Sequence, residues 1–191
     1  MLDLIAKQIE EADTYFRTII AESNGEFKES RIDLKVKGVT SAQFLGWFGR
    51  WMKDLSTPEQ RQTLFLDTMV PAHPEHYALP PYPGIIETIG GHIARVHIRV
   101  DLEIPGFVMA YADSSYKQLP ATGCLDDGSV FFYILQELRD SGDGCDFKLR
   151  LLFPAAAPQI FFDEHAEHLA VEYRSFVAAA FESHQKTQVE K

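Results

Sequence analysis

The sequence predicts an α+β domain in which an antiparallel β-sheet wraps around a long C-terminal helix. Three observations carry this expectation. From about residue 84 to residue 153 the chain reads as strands separated by turn residues, among them Pro105-Gly106, Asp126-Asp127-Gly128 and Ser141-Gly142-Asp143-Gly144. Gly90-Gly91 is a two-residue turn of the kind that closes a hairpin. After the strands, apolar residues recur at helical spacing from Asp163 to Ser183. Strands paired in order and then one long helix favour a sheet folded over that helix.

Each element has its own reason. Leu2, Ile5, Ile9, Ala12, Phe16 and Ile19 mark a helix over 2–22, within an N-terminal unit over 1–24 closed by the turn at 23–26. Ile32, Leu34 and Val36 alternate with charged neighbours, which predicts a half-buried strand over 30–39. A second helix begins with Thr40 or Ser41 as N-cap and carries Phe44, Leu45, Phe48 and Met52 on one side. Six prolines punctuate residues 56–83, predicting a short helix and then an irregular loop. Strands are expected at 85–89, 92–104, 107–113, 129–138 and 145–153, with Asp163 capping the last helix and 185–191 a frayed tail. No internal repeat is visible, and 191 residues suit a single domain over 1–191. The layout is that of the helix-grip fold, of START and Bet v 1 type.

Composition narrows the function. A net charge of −10 without a basic cluster repels phosphate backbones and anionic bilayers, so neither nucleic acid nor membrane is an expected partner. The N-terminus turns acidic by residue 10, unlike a signal peptide, and no apolar run is long enough to span a bilayer; a cytoplasmic protein is expected. Cys124 and Cys145 have neither metal nor redox spacing; they could form one disulfide, but two reduced thiols are expected. With 14 Phe, 7 Tyr and 2 Trp the chain has the aromatics for a roomy apolar pocket, and Phe107, Tyr111, Phe131 and Tyr133 are candidates to line it. There is no Gly-x-Ser-x-Gly elbow, P-loop or dinucleotide fingerprint.

On the last helix, Ala166, Leu169, Tyr173, Phe176, Val177, Ala180 and Phe181 form one apolar face, with Glu167, Arg174 and Glu182 opposite. His165, His168 and Glu172 fall at its margin. His168 and Glu172 lie one turn apart, as half of a metal site or as an ordinary solvated pair. The Gly-Gly turn sets Ile89 opposite His92 and Glu87 opposite Ala94, which places Glu87 among aliphatic side chains. A buried carboxylate there requires a cation: a metal ion, or Arg150 reaching across the sheet. His73 and His76 in the preceding loop complete a set of two histidines and two carboxylates, donors that suit a catalytic zinc site better than a structural one.

From about residue 40 the chain resembles the zinc-dependent hydrolases of diacetylphloroglucinol and phloretin, which cleave a carbon–carbon bond between an acyl group and a phenolic ring. The resemblance lies in FLGWF at 44–48, His73-Pro74-Glu75-His76, Glu87-Thr88-Ile89-Gly90-Gly91, FKLRLLF at 147–153 and the closing His168-x-x-x-Glu172. It implies a helix-grip fold with Zn2+ held by His73, Glu87, His168 and Glu172, and His76 as a polar contact to substrate. The short interval before Glu87 leaves either His73 or His76 as the ligand. The function so implied is hydrolysis of a carbon–carbon bond in a small apolar or aromatic, carbonyl-bearing compound. His76, Tyr77 and Tyr111 are candidates for the general acid that protonates the leaving ring carbon. A helix-grip carrier of hydrophobic ligands, or a polyketide cyclase-like protein, would use the same cavity without metal. Either reading is compatible with a homo-oligomer.

Overall fold

The computed structural model describes residues 2–53, 57, 59, 77–79 and 84–189. Helix α1 (Leu2–Glu22) buries Ile9, Ala12, Phe16 and Ile19, the stripe its periodicity predicts. Strand β1 (Phe27–Lys37) begins three residues before the predicted start. Helix α2 (Ser41–Lys53) is capped by Thr40. The Gln43 amide N–H donates to Thr40 Oγ1 at 3.3 Å, and the Thr40 N–H donates to Gln43 Oε1 at 2.8 Å. This reciprocal pair satisfies two helix-end donors and decides between Thr40 and Ser41.

Strands β2 (Tyr77–Leu79), β3 (Gly84–Ile89), β4 (His92–Arg99), β5 (Lys117–Cys124), β6 (Val130–Ser141) and β7 (Gly144–Pro154) join β1 in one seven-stranded sheet, in the order β1-β7-β6-β5-β4-β3-β2. Every neighbouring pair is antiparallel. The closing helix α4 (Gln159–Val189) lies against β1, β7 and β3. At 31 residues it extends about 46 Å. Ala94, Val96, Ile134, Leu138, Leu149 and Leu151 on the inner sheet face share one core with Leu169, Tyr173, Phe176 and Ala180 of α4. The chain therefore has the predicted α+β helix-grip architecture.

Several elements differ from the sequence expectation. The predicted strand over 107–113 is a short helix, α3 (Gly106–Met109), entered from Pro105 with φ −59. Val108 packs on Tyr133 and Leu152, so α3 covers the outer face of the sheet. The strand that follows, β5, was not predicted, because Pro120 and Gly123 disguise it. β4 pairs with β5 only at Thr122, Gly123 and Cys124. Pro120 thus has a strand neighbour on one side, where a missing N–H need not break a ladder. β4 stops at Arg99 rather than 104. Helix α4 starts at Gln159, with Asp163 inside it and accepting a hydrogen bond from the Gln159 side chain at 2.9 Å. Residues 185–189, expected to fray, continue this helix.

Both cysteines are buried and free, and burial pushes the Cys145 thiol up to about 11. Among the described residues no helix is long and apolar enough to cross a membrane.

Candidate functional site

The hairpin register is as the turn predicts: Ile89 pairs with His92 and Glu87 with Ala94. Gly90 and Gly91 have φ of 57° and 80°, the left-handed conformations that a tight type I′ connection demands. Strand alternation then sends Glu87 to the inner face, where it is 4% exposed. Arg150 does not serve as its counter-ion. It alternates with the inward Leu149 and Leu151, and its partners are Glu137, itself fully buried, and Glu29 at 3.2 Å. That ion pair belongs to the outer face of the sheet.

The group that meets Glu87 comes from α4. His168 Nε2 stands 3.7 Å from Glu87 Oε2 and 3.7 Å from Glu172 Oε2. His168 is 8% exposed and the Glu172 side chain 15%. The geometry follows from two rises. A Cβ on Gly90 would approach the Phe161 ring to 2.2 Å, so the first turn of α4 sits on the bare turn of the hairpin. From Phe161 to His168 the helix advances about 10 Å. From Gly90 back to Glu87 the strand retreats about 10 Å. Seating Phe161 on Gly90 therefore delivers His168 to Glu87, and the i,i+4 spacing adds Glu172.

A second imidazole joins them. His165 is 7% exposed, and its ring stacks on His168 at 4.8 Å and 10°. It also lies against the rings of Phe153 at 5.2 Å and Phe132 at 6.4 Å. A pocket of about 240 Å³ opens beside the two histidines. Thr88, Ile89 and Gly90 of the hairpin form one wall, and Phe161, Glu164, His165 and His168 of α4 form the other. Below the cluster, burial holds the Tyr173 hydroxyl well above the ordinary tyrosine range, and the charge of Glu172 adds to the shift.

Of the predicted ligands, Glu87, His168 and Glu172 come together, while His73 and His76 lie outside the described residues. Tyr77 lies at the start of β2, paired with Ile86. Tyr111 is not brought to the cluster: it follows α3 on the outer face and is 38% exposed. The expected cavity lining also separates. Phe107 and Tyr133 pack together on the outer face at 5.5 Å, whereas Phe131 stacks on Phe16 of α1 at 4.3 Å within the core.

In a helix beginning at Asp163, His165 falls at the margin of the apolar face. With Phe161 and Phe162 included, 161, 165, 168 and 172 form one stripe at spacings of four, three and four, and the signal was present in the sequence.

The donor set fits zinc in kind, two carboxylates and an imidazole on an otherwise apolar surface. Donors around tetrahedral zinc stand about 3.3–3.5 Å apart, slightly closer than the 3.7 Å separations here. Among the described residues, no three His, Cys, Asp or Glu side chains stand close enough around one point to hold an ion as placed.

Fold and site together define a helix-grip protein with a buried acid–imidazole cluster between its closing helix and one hairpin. No family model matches the sequence, and no curated protein matches it. Among solved structures, the crystal structure of Ara h 8.0201 is similar in chain path, with a TM-score of 0.49 and 10% sequence identity, over 82% of this chain and 99% of that one.

Proposed function

We propose that this chain is a zinc-dependent hydrolase that cleaves the bond between an acyl carbon and a ring carbon in a small, apolar, carbonyl-bearing phenol. The observation that supports this reading is the convergence of Glu87, His168 and Glu172 from elements 81 residues apart in sequence, inside an apolar interface. These three would hold the ion, with His73 or His76 as the fourth ligand. The ion would supply Lewis-acid polarisation of the acyl carbonyl. The chain's residues supply the rest. The inner sheet face and the aliphatic flank of α4 exclude bulk water, and Phe161 on Gly90 fixes the reach of the helix. The hydroxyl of one water ends on the acyl carbon as a carboxylic acid, and its proton on the ring carbon. His76 and Tyr77 remain candidates to deliver that proton.

The pocket of about 240 Å³ beside the cluster admits a second reading, a helix-grip binding protein or carrier that takes a small hydrophobic ligand without metal. Elemental analysis separates the two. The hydrolase reading expects about one zinc per chain, lost in Glu87→Ala and in His168→Ala, and turnover of acylphloroglucinols that stops on chelation. Zinc content unchanged in both variants, or turnover unaffected by complete metal removal, rejects it.

A further inference from the structure

Helix α1 buries one stripe, Ile9, Ala12, Phe16 and Ile19, while Leu4 in its first turn is 83% exposed. The stripe rests on the joint between the hairpin and the closing helix. Phe16 lies 5.9 Å from both Phe161 and His92, and Tyr15 stacks on His92 at 4.4 Å and stands 6.3 Å from Phe161. Helix α1 thus covers the ring seated on Gly90 and, through the stack of Phe16 on Phe131, the aromatic core behind it. Its C-terminal end is tied down. The Ala156 N–H donates to Ser23 Oγ at 2.9 Å, and the Ala155 N–H donates to the Glu26 carbonyl at 2.8 Å. Between these anchors Asn24 and Gly25 turn the chain with φ of 51° and 79°. The helix is fixed at one end and held along its length by the stripe and by a polar seam.

That seam is unbalanced. Asp13 is 6% exposed, its Oδ1 has no hydrogen-bond partner, and Arg17 of the same helix stands 3.8 Å from it. The β5–β6 loop adds the charges of Asp126 and Asp127, and β4 adds Arg95. Arg95 binds Asp126 through two nitrogens, His97 of β4 meets the same carboxylate at 2.8 Å, and Arg17 reaches Asp127 at 3.4 Å. With Asp13 protonated, two carboxylates face two guanidiniums. Ionising Asp13 adds a third carboxylate to a partly buried seam and brings no third guanidinium to meet it.

We propose that α1 is a pH-dependent cover over the hairpin–helix joint, seated while Asp13 carries a proton and released more readily once Asp13 is ionised. Opening carries the carboxylate out of the seam and into water. It also bares Phe161, Phe131 and His92, which gives a hydrophobic molecule a way into the grip that the seated helix closes. The cover works whether or not the neighbouring cluster holds a metal. Its direction follows from linkage. Burial and the charge of Asp126 make the seated carboxyl hold its proton more tightly than a freed one. Opening is therefore suppressed at low pH, grows as pH rises past the ordinary aspartate value of about 4, and levels off when the seated carboxyl has ionised.

Amide hydrogen exchange of the full chain between pH 4 and pH 7, read as protection factors, tests this. Amides of α1 are expected to exchange ahead of those of β6 and β7, and their protection should fall about fivefold from pH 4 to pH 7. Asp13→Asn keeps the shape of the side chain and should abolish most of that fall. Arg17→Gln removes the guanidinium that faces Asp13 and should enlarge it. Helix α1 amides that exchange only together with β6 and β7, a fall that persists in Asp13→Asn, or one that fails to grow in Arg17→Gln overturns the proposal.

Discussion

Gly90 and Phe161 touch so closely that a β-carbon on the glycine would come within 2.2 Å of the ring. This contact joins the hairpin to the first turn of α4, and every distance in the cluster is measured from it. Gly90→Ala must relieve the clash by moving Phe161, and must also place a side chain at φ 57°. It should destabilise the protein by about 1–3 kcal/mol. It should also lower zinc affinity, because His168 is carried out of reach of Glu87. Gly91→Ala shares the backbone strain, but its β-carbon would meet nothing within 4 Å. Chemical denaturation and metal titration of both variants separate strain from seating. Equal zinc affinity in the two would sink the seating argument.

Glu87→Gln should have opposite effects with and without metal. Glu87 and Glu172 are two carboxylates facing one imidazole in a mostly buried interface. Removing one of the two like charges in chelator should stabilise the protein by roughly 1 kcal/mol. In saturating zinc, the wild type gains about 2.7 kcal/mol when the metal stands at a hundred times its Kd, and the variant forgoes most of that gain. Thermal melts of both proteins, each in zinc and in chelator, should therefore cross over. Curves that keep the same order in both media would rule out a metal-holding role for Glu87.

Much of the candidate site is legible in the sequence, and the parts that are not share a cause. The Gly90-Gly91 turn fixes the register of β3 on β4, and register alone sends Glu87 inward. The i,i+4 spacing brings His168 and Glu172 together in any helix. Hidden from a sequence reading were the features set by packing between distant segments. β5 contains a proline that is tolerated only because β4 leaves that stretch of its edge uncovered. Residues 107–113 have the alternation of a strand, yet Pro105 starts a helix there, and the outer apolar patch of Tyr133 and Leu152 receives Val108. His165 joins the inward stripe only in a helix that includes Phe161 and Phe162 at its start.

The outer face offers a control that should leave the site untouched. Glu137 is fully buried and paired with Arg150, and it also accepts the Asp113 N–H at 2.6 Å. Arg150→Met strands that carboxylate and should cost about 3–5 kcal/mol. Combining it with Glu137→Leu should recover much of the loss, because a matched apolar pair no longer carries a stranded charge. Zinc content should be unaffected in the double variant, since Leu149 and Leu151, not Arg150, face α4. Equilibrium denaturation of the two single variants and the double gives the coupling energy directly. Additive losses would contradict the pairing.

Asp13 makes stability depend on pH in the direction opposite to a salt-bridged carboxylate. It is 6% exposed, and its Oδ1 has no hydrogen-bond partner. Burial raises its pKa, with the charge of Asp126 adding to the shift and Arg17, 3.8 Å away, opposing it. A carboxyl whose pKa is raised by folding binds its proton more tightly in the native state. Its contribution is thus fully present below the ordinary aspartate pKa and disappears as pH rises through the raised value. At pH 7 the ionised group is a net cost, and Asp13→Asn should be more stable than wild type by roughly 1 kcal/mol. The advantage should shrink as pH falls toward 4 and the wild-type carboxyl takes up its proton. Urea midpoints of both proteins between pH 4 and pH 7 measure the difference. An advantage that stayed constant over that range would locate its origin in packing rather than in charge.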